Sequence, residues 1–262
     1  MDKNKRTFSV VIPVYNGEKY IQNALKSCLM QTVLPDEIIV IDDASTDQTE
    51  FLIKQIQSDR IVYKKNGQNK GPSFCRNIGI QSARYSWILF LDADDIFHPQ
   101  KIEILLHFLL QNEQIKAIGH SFQLTGQHLF EPDELQMNSI KPLKLSTGQV
   151  LISSPIVTPS LAISAANGLL FDESMFYAED HDFILRSSEK HGVWYLDLPL
   201  CTLGRTPLSP GGMSGNRWLM RKGEINMYIA YCRRNHRVAA IPFFVLFSLL
   251  KHARSKMVKR NN

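Results

Sequence analysis

Five consecutive apolar residues, Trp87-Ile88-Leu89-Phe90-Leu91, run directly into Asp92, Asp94 and Asp95. A run this short and bulky suits a strand buried on both faces. Three acids at its carboxyl end do not suit a core, because each is costly to desolvate and each raises the pKa of the others. Two readings resolve the conflict. Hard oxygen donors at the tip of a rigid strand can hold Mg²⁺ or Mn²⁺, ions that typically also bind substrate phosphates. The plainer reading is a solvated acidic turn ahead of a helix starting near His98-Pro99.

The same arrangement recurs upstream. Phe8–Val14 reads as a first strand, followed by a turn at Tyr15-Asn16-Gly17. Ile21, Ala24, Leu25, Cys28 and Leu29 then fall at i, i+3, i+4, i+7 and i+8, the apolar stripe of a helix. Glu37–Ile41 is a second, β-branched strand ending in Asp42-Asp43. Ser45 reads as the start of a helix, with Gln48 completing a capping box and Leu52, Ile53 and Ile56 on the buried face. Arg60–Tyr63 reads as a short third strand, and Gly71-Pro72 opens a helix with proline in its first turn. Alternating strands and helices, with strands apolar throughout, imply a parallel sheet covered on both faces. Ligands of such open sheets bind beyond the carboxyl ends of the strands. This chain puts Tyr15-Asn16, Asp42-Asp43 and Asp92–Asp95 there.

Regularity fades after a helix near Gln100–Gln111 and a strand near Ala117–Phe122. No regular element is expected over residues 123–158, which are mixed and hold Pro132, Pro142 and Pro155. Farther on, Ile184, Leu185 and Ser188 predict a helix with Glu179-Asp180 at its amino end. Acids there are often partners of the helix dipole, a reading that weighs most for Asp182.

Charge divides the chain unevenly. Residues 1–216 hold 19 Lys and Arg against 24 Asp and Glu, whereas residues 217–262 hold 11 against Glu224 alone. A tail of +10 on a body of −5 points to an anionic surface. The tail's apolar run, Ile241–Leu250, is about half of what a membrane-spanning helix needs. A helix lying in the headgroup region fits better, and a core helix with a solvated basic end is the alternative. The four cysteines stand far apart with no CxxC pair, against zinc and disulfides and in keeping with a reducing compartment. Residues 1–7 lead straight into the first strand, so no secretory leader is expected.

Taken together, VIPVYN (Val11–Asn16), IDDASTD (Ile41–Asp47), NKGPSFCRNIGI (Asn69–Ile80), FLDADD (Phe90–Asp95) and FDESMFYAEDHDFILR (Phe171–Arg186) resemble family 2 of the inverting glycosyltransferases, in order and spacing, over about residues 8–215. The resemblance implies an α/β GT-A fold: a single Rossmann-like, mostly parallel sheet flanked by helices. Residues 1–216 would form the catalytic domain and residues 217–262 a basic amphipathic helical extension. It places Pro13, Tyr15, Asn16, Asp42 and Asp43 in the nucleotide-sugar-binding set, with Tyr15 near the base and Asp43 hydrogen-bonded to it. Arg76 would lie near the nucleotide or sugar; read from its neighbours alone, it could equally neutralise the carboxylates. Asp92, Asp94 and Asp95 match the metal and diphosphate site, and Asp180, with Glu179 beside it as second candidate, matches the general base. One departure stands out. Many relatives carry a histidine after the acid pair that completes the metal shell, but here none lies between His191 and His236. Arg205 is the group offered there instead, within reach of a diphosphate.

The expected activity is inverting transfer from a nucleotide sugar, a UDP-sugar foremost, to a hydroxyl of a glycan or lipid-linked saccharide in surface polysaccharide or glycolipid synthesis. Mn²⁺ or Mg²⁺ would bridge carboxylates to the diphosphate. The expected location is cytoplasmic, peripheral on the membrane face through the tail, with no nucleic-acid partner. A nucleotidyltransferase would need a glycine-rich phosphate loop after the first strand, where this chain has only Asn16-Gly17. A non-catalytic sugar-nucleotide-binding or assembly protein would not need both acidic clusters intact.

Overall fold

Strand β1, Phe8–Val14, is buried along its whole length and divides the parallel part of the sheet. It pairs with β2 (Glu37–Asp42) on one side and β4 (Trp87–Phe90) on the other, and β2 pairs with β3 (Ile61–Lys65), all parallel. Helices α1 (Ile21–Leu29), α2 (Thr49–Lys54) and α3 (Pro72–Ser82) make the crossovers. The structure, a computed structural model, describes residues 6–127, 140–206 and 215–260.

Beyond β4 the sheet becomes mixed. It takes in β5 (Ile96–Phe97), β6 (Ala117–Leu124), β7 (Leu143–Leu145), β8 (Ala162–Ser164) and β9 (Val193–Leu203). The order is β3-β2-β1-β4-β8-β6-β9-β5, with β7 also on β9. β8 runs antiparallel to both β4 and β6, while β6 and β9 are parallel. Successive side chains of a strand face opposite sides, so Val10, Ile12 and Val14 enter one core cluster with α1 and with α4 (Lys101–Gln111). Val11 enters the other, with Ile88 and Phe90. Both faces are filled, which is why the strands carry no polar alternation.

The second cluster is closed by α5 (Thr147–Ile152), α6 (Glu179–Lys190) and α7 (Arg217–Arg234). Helix α7 buries Met227, Tyr228, Tyr231 and Cys232 there, so one core runs through residue 216. The last helix, α8 (Ile241–Arg260), lies on α7, with Phe244 stacked on Tyr228 at 4.9 Å. Among the described residues no helix is long and apolar enough to cross a membrane.

Two local expectations change. The helix expected from Ser45 starts at Thr49, with Gln48 as N-cap and no side-chain cap. Ser45 serves the turn instead: its N–H donates to Asp42 and its hydroxyl accepts from the Asn16 N–H. Residues 123–158, expected to be irregular, contain β7 and α5, and α5 has a true capping box between Ser146 and Gln149. Of that stretch, residues 128–139, Pro132 among them, lie outside the described residues.

Candidate active site

The carboxyl ends of β1, β2 and β4 open on the same side of the sheet, as parallel strands require. After β1, Tyr15 is 53% exposed. Asn16 is strapped to the turn after β2: its N–H donates to Ser45 and its side-chain oxygen accepts from the Thr46 N–H, both at 2.9 Å. Pro13 is buried within β1 opposite Ile41.

Asp42 and Asp43 turn inward. Asp42 is fully buried and accepts from the Ser45 N–H at 2.7 Å and the Tyr63 hydroxyl at 2.6 Å. Asp43 accepts from the Asn66 side chain (2.8 Å) and from the N–H groups of Lys70 (3.0 Å) and Gly71 (2.7 Å). It thus shapes the loop that launches α3. The sequence expects Asp43 to face a nucleotide base; here both its oxygens already hold protein donors.

Arg76 sits at the centre of the site. It projects from α3, is 4% exposed, and spans two acidic groups. Nη2 donates to Asp92 at 2.8 Å and Nη1 to Glu179 at 3.0 Å. Its guanidinium lies 5.4 Å from the Phe171 ring centroid. Next to Arg76, Asn77 grips the Phe171 backbone in both directions, which ties α3 to the segment leading into α6. Burial and Asp180 push the Glu179 carboxyl up to about 7, against the pull of Arg76. Asp180 is the second residue of α6, and one of its oxygens accepts from the His181 N–H. Asp182, in the first turn of α6, is buried and paired with Arg186 (2.6 Å) and Arg234 (3.5 Å), so arginines as well as the helix end hold it. His181 is spent on the Val150 carbonyl.

The three acids after β4 do not point at one spot. Asp92 meets Arg76, Asp94 meets Arg205 at 3.2 Å, and Asp95 accepts from the Gly204 N–H at 2.9 Å. Gly204 and Arg205 follow β9, so the end of that strand closes over the acidic turn; a Cβ at Gly204 would collide with the Asp94 carbonyl. Burial, then the charge of Asp92, raises Asp94 and pushes Asp95 up to about 8. Crowded hard-oxygen groups of this kind fit a divalent cation, which would relieve that repulsion. The expected three-carboxylate ligand set is nevertheless not assembled. Among the described residues, no three His, Cys, Asp or Glu side chains are grouped to hold a metal ion. Each of the three instead has a partner of its own, an arginine for Asp92 and for Asp94 and a backbone N–H for Asp95.

The profile of Glycosyl transferase family 2 matches residues 9–162. The chain belongs to this family. The matched span includes Arg76 and the acidic turn; Glu179 and Asp180 lie beyond it. An uncharacterised glycosyltransferase of Rickettsia conorii is 32% identical over 231 residues, 86% of this chain but 37% of that protein. The chain therefore spans little more than a third of that relative. A protein of Escherichia coli named UDP-Glc:alpha-D-GlcNAc-diphosphoundecaprenol beta-1,3-glucosyltransferase WfaP is 27% identical over 256 residues, 97% of this chain and 98% of that one. Among solved structures, S. aureus TarS 1–349 in complex with UDP-GlcNAc superposes with a TM-score of 0.70 at 20% identity, over 94% of this chain and 72% of that one. The fold is thus GT-A, as the resemblance implied.

Proposed function

We propose that the chain is an inverting glycosyltransferase that moves a sugar from a UDP-sugar to a hydroxyl of a lipid-linked saccharide. The observation that carries this reading is the double hold of Arg76, which fixes an acid of the turn after β4 and the acid pair of α6 at the two ends of one side chain. Such a site can receive a diphosphate at one end and an acceptor at the other. Family membership and the name of the full-length relative WfaP support the donor and acceptor classes.

Asp180 takes the acceptor hydroxyl proton as the new oxygen–carbon bond forms at the anomeric carbon, typically a gain of about 10²–10⁴-fold. The bond to the diphosphate breaks on the opposite face, the electron pair leaves with the nucleoside diphosphate, and the configuration inverts. Asp92 and Asp94, each about a third exposed, would hold Mn²⁺ or Mg²⁺ together with the diphosphate. The ion, when bound, supplies the charge that stabilises the leaving group. Arg205 adds a second positive group on the same side. Tyr15, exposed after β1, flanks the base.

The acceptor reading places the enzyme at a membrane surface. Phe243, Leu246 and Leu250 are 58–64% exposed on one stripe of α8, and the helix continues through Lys256 and Lys259. An apolar stripe running into a basic end suits an anionic interface.

Calorimetric titration with UDP, GDP and dTDP, each with Mn²⁺ and with EDTA, tests the core of this reading. UDP alone should bind, only with metal, and Asp94→Ala should abolish it. Binding of no nucleotide under either condition would remove the transferase assignment.

A further inference from the structure

Helix α7 meets the catalytic segment at a point where no side chain fits. Gly223 is buried in the middle of α7, where glycine is a poor helix former. A Cβ there would lie 2.5 Å from both the Cβ and the carbonyl oxygen of Tyr177. The helix backbone is therefore pressed on the residue two positions before Glu179. Ala178, between them, has φ 59°, a left-handed conformation that a residue with a side chain keeps only when its surroundings enforce it. Farther along α7, Arg234 reaches Asp182 at 3.5 Å and Glu189 at 3.0 Å, and Asn235 donates to Glu189 at 2.6 Å. Helix α7 thus touches the entry to α6 with one part and the flank of α6 with another.

We infer that α7 is a positioning element of the active site, and that the Gly223–Tyr177 contact sets where Glu179 and Asp180 stand relative to Arg76 and the donor. The inference rests on the proposed transferase reading. It also means that the first 216 residues, which hold every proposed contact to donor and acceptor, do not set their own geometry. A shift of the acid pair away from the acceptor acts first on the proposed base, because Tyr15 and Asp92–Asp95 follow other elements, β1 and β4, and Arg76 alone of the bonds described here links the acid pair to Asp92. Misplacement of this size can cost about a hundredfold in rate with little change in donor affinity.

The test uses the full chain, UDP-glucose as donor and GlcNAc-diphosphoundecaprenol as acceptor, with UDP release, UDP affinity and thermal midpoint measured for wild type, Gly223→Ala, Arg234→Met and Asp180→Asn. Alanine favours helix over glycine, so propensity alone would raise stability in Gly223→Ala. Overpacking against the Tyr177 backbone opposes this, so the expected result is a kcat at least about tenfold lower in Gly223→Ala, with UDP affinity within about twofold and a lower midpoint. Arg234→Met should show the same split more weakly, and it decides the matter if Gly223→Ala does not fold. Wild-type kcat in the folded variants, or equal losses of kcat and UDP affinity, would overturn the inference. Wild type and Asp180→Asn releasing UDP at one rate would instead overturn the transferase reading.

Discussion

Burial and the neighbouring Asp180 push the Glu179 carboxyl up to about 7, while Arg76 pulls it down. Below that pH Glu179 holds a proton and the charge-assisted bond to Arg76 is lost, loosening the strut between the acid pair and Asp92. The turnover rate should therefore rise with pH through a midpoint near 7. In Glu179→Gln that limb should vanish, because glutamine does not titrate. In Arg76→Met the limb should vanish as well, because no strut is left for protonation to loosen. A pH–rate profile of the three proteins checks this, and a limb near 7 that persists in Arg76→Met would contradict it. Arg76 also marks a boundary of what residue types alone can tell. Its presence beside the carboxylates was legible, and so was the alternative that it neutralises them. That one side chain joins groups 16 and 103 positions away was not, since only the folded path brings α3 between β4 and α6.

At the scale of elements, the sequence identified β1 to β4, β6 and the helices between them, because both faces of the sheet are filled and each crossover helix has one buried stripe, but not β5, β7, β8, β9 or α5. The misses have local causes. Ser45 and Gln48 carry the letters of a capping box, but the Ser45 hydroxyl is claimed by the Asn16 N–H across the sheet end. β7 and α5 are too short to show a period. Helix α4 holds something its pattern hides. Lys101 is fully buried, donates to the Pro159 carbonyl at 2.7 Å and sits over the Phe97 ring. Burial pushes its amine down from 10.5 to about 7. A depressed folded-state pKa gives stability that is complete above the unfolded value and is lost as pH falls through the folded one. Lys101→Met removes that loss. It should therefore raise the thermal midpoint relative to wild type more at about pH 6 than at about pH 9. An equal shift at both pH values would show that Lys101 does not change charge in the folded state.

The molecule as a whole pairs a mildly acidic body with a basic tail, and the fold decides what that division means. The break in charge at residue 216 is visible in the sequence, yet no break in packing accompanies it, because α7 buries Tyr228 and Tyr231 in the core of the body. Only α8 stands on the outside. Its inner face, Phe244, Phe247 and Ser248, is spent on α7, and Glu224, the one acid of residues 217–262, is held half-buried between the helices by Arg221, Ser248 and Lys251. Negative charge is thereby withdrawn from the surface that carries Phe243, Leu246 and Leu250. They are 58–64% exposed, and the ring contacts of Phe243 are to Phe244 and Phe247 of its own helix, so replacing Phe243 and Leu246 by glutamate should leave the thermal midpoint and UDP affinity in place. Binding to vesicles rich in anionic lipid should fall by at least about tenfold, since each lost apolar insertion is worth about 1.5–3 kcal/mol. Raising the salt should weaken the wild-type protein as well, because the basic end of the tail contributes through a screened field. Vesicle sedimentation of wild type and the double variant, at low and high salt, separates the two contributions. Equal sedimentation of both proteins at every salt concentration would mean that α8 does not face the bilayer.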